Sequence, residues 1–126
     1  MQKILIMFTF IILFIFTGCG TSQHQGTIRD ARELWGLDGK HVVVEGTVAK
    51  EIWQHMMAPT RTHPHETYFD IGKQQVVIYS RDEIACTGTV RVEGTVVKIE
   101  GSSKDPRRKE TCTEYHILVD AWKCID

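Results

Sequence analysis

Between Trp53 and His65 the chain gathers its most reactive-looking side chains: Trp53, His55, Met56, Met57, His63 and His65. Imidazole and thioether groups suit soft monovalent ions, so His55, Met56, Met57, His63 and His65 form a candidate set for Cu(I) or Ag(I). The competing reading is a polar loop whose methionines cover a hydrophobic edge and whose His63-Pro64-His65 is incidental. Residue types alone favour that plainer reading, and no resident cofactor is expected.

A second constellation is basic: Lys104, Arg107, Arg108 and Lys109. Such a loop can grip a phosphate backbone while aromatics such as Tyr68, Phe69 and Tyr79 stack on bases. Strand alternation sends Tyr68 and Phe69 to opposite faces, so one of them belongs to a core. Asp105 and Glu110 dilute the patch. With 15 Lys and Arg against 16 Asp and Glu, the net charge is −1. That balance argues against a partner held mainly by electrostatics, such as bulk nucleic acid. Trp53, His55, Met56, Met57, Tyr68, Tyr79, Arg107 and Arg108 stand as the candidate ligand-binding residues.

Catalysis has little support, and the reading is non-enzymatic. Cys112 and His116 sit four residues apart on an expected strand, about 13 Å along it, and His116 and Asp120 are separated likewise. Neither pair makes a nucleophile–base dyad. No serine occupies a nucleophile elbow and no glycine loop cradles phosphate.

The elements that must position these residues announce themselves by an echo. Residues 42–50 read V-V-V-E-G-T-V-A-K and residues 90–98 read V-R-V-E-G-T-V-V-K, alike at seven of nine positions. Val42, Val44, Gly46 and Val48 alternate onto one side, as do Val90, Val92, Gly94 and Val96, which is the pattern of a strand with one buried face. A glycine at the same place in each copy predicts a bulge or sharp bend.

In chain order, a short helix is expected over 28–35, capped by Thr27 and stopped by Gly36. Strands are expected at about 41–53, 67–71, 75–80, 88–100 and 112–124. The second and third form a hairpin across Gly72-Lys73. Ser80-Arg81-Asp82-Glu83 has a capping-box pattern and predicts a helical turn ending near Cys86. The long loop 54–66, with two prolines and no alternation, is the leading functional element.

The antiparallel pairing of the last two strands places residue 88 opposite about 124 and residue 100 opposite about 112. Cys86 therefore meets Cys124 in a disulfide. Cys112 lies roughly 40 Å of extended strand from Cys124 and is left free.

The first residues read as a targeting segment. Lys3 precedes an apolar run from Ile4 to Phe16, which ends in Phe16-Thr17-Gly18-Cys19. Small residues before a cysteine at that place resemble the lipobox of bacterial lipoproteins, although Phe16 stands where the family prefers leucine. The resemblance implies removal of residues 1–18 as a signal peptide, acylation of Cys19, a lipidated tether over 19–26 and one domain over 27–126. It implies anchorage to the bilayer of the cell envelope, and Gly20 rather than Asp after Cys19 favours an outer membrane facing the periplasm where the cell has one.

The five strands, with a helical turn between third and fourth and long loops after the first and fourth, resemble an OB-fold, the five-stranded Greek-key barrel. The likeness covers 41–125 and points to the small single-domain OB-fold proteins that bacteria export. It implies a mostly β barrel that binds through its second and third strands and their flanking loops. The partner it leaves open: an envelope protein, a glycan or a small ligand. The His/Met loop is also similar in kind to the periplasmic copper and silver chaperones, which offer His, two Met and a Trp from a small barrel. Order and spacing differ, so the alternatives to the plain binding module are a Cu(I)/Ag(I) chaperone or sensor and an oligonucleotide binder.

Overall fold

A computed structural model describes residues 23–58, 60–102, 107 and 110–126. Cys19, the expected signal segment, and Lys104, Asp105, Arg108 and Lys109 of the basic loop lie outside the described residues.

The chain is mostly β, with six strands in one sheet: β1 (Gln23–Ile28), β2 (His41–Val48), β3 (His65–Ile71), β4 (Gln74–Ser80), β5 (Thr89–Ser102) and β6 (Thr111–Cys124). Their order is β1-β2-β3-β4-β6-β5, and β2 also pairs with β5. Strands β2 to β6 thus close a ring of hydrogen bonds, with β1 laid parallel against β2. The five expected strands are all present, each within a few residues of its expected bounds. The largest difference is β2, which ends at Val48 rather than near residue 53.

The two echoing segments turn out to be neighbours. They pair antiparallel, Val42 with Gly94, Val44 with Val92 and Gly46 with Val90, so each glycine faces a valine of the other copy. Both glycines sit where neighbouring backbone comes close. A Cβ on Gly94 would overlap the Leu118 carbonyl oxygen and stand 2.9 Å from Cγ2 of Ile117. The β5–β6 register shifts between Glu93 and Gly94, which is the expected bulge. A Cβ on Gly46 would overlap the Asp70 carbonyl and come within 2.7 Å of the Phe69 ring. The β2–β5 register runs through Gly46 without the shift expected of a bulge, and just beyond it Thr47 pairs with both β5 and β3.

Inside the ring lies an apolar cluster that includes Val42, Val44, Val90, Val92 and Val96, with Phe69, Ile71, Ile78 and Ile117. Phe69 is the core member of the Tyr68/Phe69 pair, as alternation requires.

No α-helix occurs among the described residues, and no helix there is long and apolar enough to cross a membrane. The helix expected over 28–35 is a single 3-10 turn, Ala31–Leu34. Ile28 is spent on pairing with Val44, so Thr27 lies in β1 and cannot cap. Asp30 caps instead, accepting the Arg32 N–H, and Trp35 is already extended. Residues 23–26, expected as part of the tether, belong to β1. The helical turn expected from Ser80 is also absent. The Ser80 hydroxyl donates to the Asp82 carbonyl rather than capping a turn, and Ile84 is buried in the core.

The Cys86–Cys124 disulfide is present, with a Cα–Cα separation of 5.7 Å, and Cys112 is free and exposed. Cys112 pairs with Gly101 and Cys124 with Val90, so the hairpin register lies close to the expected one.

Candidate functional site

Strand β4 is buried on both faces. Val76 and Ile78 point into the ring, so Gln75, Val77 and Tyr79 point out of it. Register carries the same outer face across the neighbours: Tyr68 of β3 stands opposite Val77, and Leu118 of β6 stands opposite Tyr79. Glu114 and His116 share that face of β6 with Leu118. What covers this outer face is the loop of residues 49–64.

The loop is fastened by directed bonds. Gln75 is the hub. Its amide nitrogen donates to the Glu51 carbonyl at 2.7 Å and to Asp70 Oδ1 at 3.1 Å. Its amide oxygen accepts the Trp53 N–H at 2.9 Å and meets His55 Nε2 at 3.1 Å. A backbone N–H can only donate, so the amide orientation is fixed and His55 Nε2 carries a hydrogen. The other ring nitrogen, Nδ1, then faces Glu114 Oε1 at 2.6 Å. A bare nitrogen lone pair against a carboxylate is repulsive, so a positive charge must lie between them. A proton or a metal ion can supply it.

The second carboxylate oxygen of Glu114 accepts the Met56 N–H at 2.7 Å. The Tyr79 hydroxyl accepts the Ala58 N–H at 2.8 Å and lies 2.8 Å from His116 Nδ1. His116 is fully buried, and its Nε2 has no hydrogen-bond partner. The nearest charged atom to that nitrogen, Glu114 Oε1, is 3.5 Å away, at the outer limit of an interaction and too poorly placed to satisfy it.

The electrostatics follow from this geometry. Burial lowers the His116 pKa below the ordinary histidine value, with the Glu114 carboxylate pulling partly the other way. Burial is also the largest influence on Glu114 and works against its charge. The Met56 N–H, His55 and His116 together outweigh it and hold Glu114 below the usual carboxylate range. Burial pushes the Tyr79 phenol up.

One group of three metal-capable side chains occurs among the described residues: His55, Glu114 and His116, with one donor atom of each inside 4.8 Å of the others. Of the candidates read from the sequence, His55 stands at the centre of this arrangement. Tyr68 is half-buried with its ring 5.9 Å from that of His55. Tyr79 is enclosed rather than offered as a stacking surface, because the loop closes over it. Met56 contributes its backbone N–H, and its sulfur lies over Gly101. Met57 is 38% exposed. His63 is buried against Thr62 and His65 begins β3, and neither joins the group of three. Arg107 is exposed, and Arg108 lies outside the described residues.

Sequence reasoning passed over Glu114 and Gln75, and took His116 only with Cys112 and Asp120. A signal was there for Glu114: it and His116 are two apart on a strand and must share a face.

Trp53 is half-exposed and stands between two open grooves of about 410 Å³ each. One runs toward Trp35, Tyr115 and Glu114, and the other toward Lys50, Asp70 and Thr87. Gln75 lines both.

No protein-family model, no curated protein and no solved structure matches this chain.

Proposed function

We propose that the chain is a lipid-anchored, non-enzymatic binding module of the bacterial cell envelope, an OB-fold-like barrel whose ligand-facing element is the loop 49–64 over the outer face of β3, β4 and β6. The ring of strands β2 to β6 supports the barrel reading. So does the parallel pairing of β4 with β6, which makes the chain pass through β5 before returning, as a Greek key does. The anchor rests on Thr17-Gly18-Cys19 after the apolar run.

The observation that carries the loop's role is how it is held. The N–H groups of Trp53, Met56 and Ala58 each end on a side chain of the sheet: Gln75, Glu114 and Tyr79. A loop that only sealed a hydrophobic edge would need apolar cover. This one aims polar groups inward and leaves Ile52 and Trp53 largely exposed beside two grooves. Rigid backing with exposed aromatic edges suits a binding surface. The oligonucleotide reading loses its platform on this face, since Tyr79 is enclosed.

The anchor and the loop are tested separately. Cys19→Ala should leave an unprocessed precursor that incorporates no labelled palmitate; normal processing of that variant sinks the anchor. Native mass spectrometry of the protein taken from its own membranes should show a retained small ligand. Hydrogen exchange should place the protection in 49–64. Protection confined to β1, β2 or β5 would move the binding face elsewhere.

A further inference from the structure

A buried polar atom without a partner calls for an explanation, and two occur among the described residues, Nε2 of His63 and Nε2 of His116. In the cluster beneath the loop, all but one of the buried polar atoms are matched. Gln75 is used at both ends, Glu114 at both oxygens, and Tyr79 accepts one bond while facing another nitrogen. The exception is Nε2 of the fully buried His116. It lies on the side of the ring toward Glu114, whose oxygen already faces His55.

We propose that His55, Glu114 and His116 form a centre for a divalent first-row transition-metal ion, with Zn²⁺ as its representative, clamped between the loop 49–64 and β6. The inference rests on the reading of that loop as the ligand-facing element, and names its ligand.

The donor set selects the class of ion. Two imidazoles and one carboxylate are the ligands that zinc sites with an open position use, and they suit the other borderline divalent ions as well. Calcium and magnesium take oxygen ligands and would leave two imidazoles unused. Cu(I) prefers thioethers, but the Met56 sulfur lies over Gly101 and Met57 is partly exposed.

All three donor atoms lie within 4.8 Å of one another, and the two separations to Glu114 are close to what an ion needs. Around a tetrahedral Zn²⁺ with bonds of about 2.0–2.1 Å, ligand atoms stand about 3.3 Å apart. The His116–Glu114 pair is at 3.5 Å. The His55–Glu114 pair is at 2.6 Å and must open by less than an ångström. His55 rides on a loop and can supply that movement. Only 26% of the Glu114 side chain is exposed, enough to admit a water molecule to a fourth position.

The surroundings are those of a metal site too. Metal-bound histidines donate their second ring nitrogen to a fixed acceptor. His55 Nε2–H donates to the Gln75 amide oxygen, whose orientation the Trp53 N–H fixes. With a metal on Nε2, His116 Nδ1–H would donate to the Tyr79 hydroxyl oxygen. The free oxygen of Glu114 is held by the Met56 N–H. Each ligand is thus aimed by a partner of its own.

The test uses the untagged full chain, stripped of metal by chelator and checked by near-UV circular dichroism. Calorimetric titration with Zn²⁺ should show one saturable site, and Co²⁺ should give the intense visible bands of a tetrahedral N/O environment. Glu114→Gln and His116→Gln should each weaken Zn²⁺ binding at least about 100-fold. Gln75→Ala and Tyr79→Phe should weaken it about 10- to 100-fold. Met56→Leu with Met57→Leu should leave it unchanged. Should His116→Gln fail to fold, Glu114→Gln keeps the acceptor for the Met56 N–H and carries the test.

Wild type without a saturable Zn²⁺ site, or a folded Glu114→Gln that binds as tightly as wild type, overturns the proposal. So does a Cu(I) site that the double leucine variant abolishes and Glu114→Gln spares. If Zn²⁺ fails while a retained ligand still protects 49–64 from exchange, the loop keeps its role and only the metal assignment falls.

Discussion

Strand β4 and the middle of β6 are covered on both faces, and the two faces are built by opposite rules. On the inner face, Val76, Ile78, Ile117 and Val119 join an apolar cluster whose buried members carry no titratable group. On the outer face, Gln75, Tyr79, Glu114 and His116 meet a loop through directed bonds. The inner face holds because water is excluded from apolar area, which has no direction. The outer face holds because donors meet acceptors at set angles, and each broken pair strands its partner. A chain that needed only stability would have had little reason to bury so many polar groups beneath a loop.

The inner face should be the less forgiving of added bulk. Gly94→Val is expected to have the largest effect, because its Cβ meets the Leu118 carbonyl of a paired strand and not a side chain that can swing aside. The cost should reach about 3 kcal/mol or more, at or above the top of the usual overpacking range. Gly46→Val should follow closely, its Cβ meeting the Asp70 carbonyl. Urea midpoints measure both, and wild-type midpoints would show that the ring has room for a side chain at these positions. Next comes the disulfide, which closes a segment of 38 residues and ties β6 to the Ile84 segment against the core. Cys86→Ala with Cys124→Ala should cost about 3 kcal/mol. Non-reducing peptide mapping should find Cys112 unpaired.

Matched deletions of a single group on each face sharpen the comparison. Ile117→Val removes one methylene from the inner face and should cost about 1 kcal/mol. Tyr79→Phe removes one oxygen from the outer face. It strands the Ala58 N–H and His116 Nδ1 together, and should cost about 1–3 kcal/mol. Hydrogen exchange distinguishes them further: the Tyr79 variant should speed exchange at Ala58 and nearby loop amides, while the Ile117 variant should leave the loop alone. Equal local effects would mean that the two faces are not separate systems.

The inner face was the legible one. Period-two alternation and the repeated E-G-T-V located β2 and β5, and hairpin register paired Cys86 with Cys124, because each depends on local pattern. The outer face depends on which residues meet across long stretches of chain. His55 could be singled out by type, but its partners Gln75 and Glu114 lie 20 and 59 residues away and look like ordinary surface polars. His116 was weighed only against Cys112 and Asp120 on its own strand, when the side chain that meets it is Tyr79, 37 residues away. The helix readings failed because local capping patterns at Thr27 and Ser80 lost to strand pairing at Ile28 and core burial at Ile84.

The smallest expected effect is on pH dependence, and it belongs to the outer face alone of these two. His116 has a folded pKa below its unfolded value of about 6.5. Below that pH the unfolded chain takes up a proton that the folded chain resists, so stability present above pH 6.5 declines as the pH falls toward the folded pKa. Glu114 has a folded value below 4.5, so its contribution is present above that pH and is lost as pH falls further. Tyr79, raised above 10, acts at the other end: the unfolded phenol ionises first, and stability falls as the pH rises past 10. Exposed Asp30, held at about 2 by the Arg32 guanidinium and N–H, and Glu45, held down by Arg91 and Arg29, add to the acid arm only below about pH 4.5. The lowered His116 pKa acts in the segment of the curve just below pH 6.5, and the His116→Gln variant isolates its share. In chelator, urea midpoints should drop modestly between pH 7.5 and 5.5 in wild type. His116→Gln should flatten that drop, and Tyr79→Phe should flatten the alkaline arm. Ile117→Val should move the whole curve down without changing its shape. An acid drop that survives His116→Gln would assign it to other groups and would mean that the outer face does not bury its histidine at a cost.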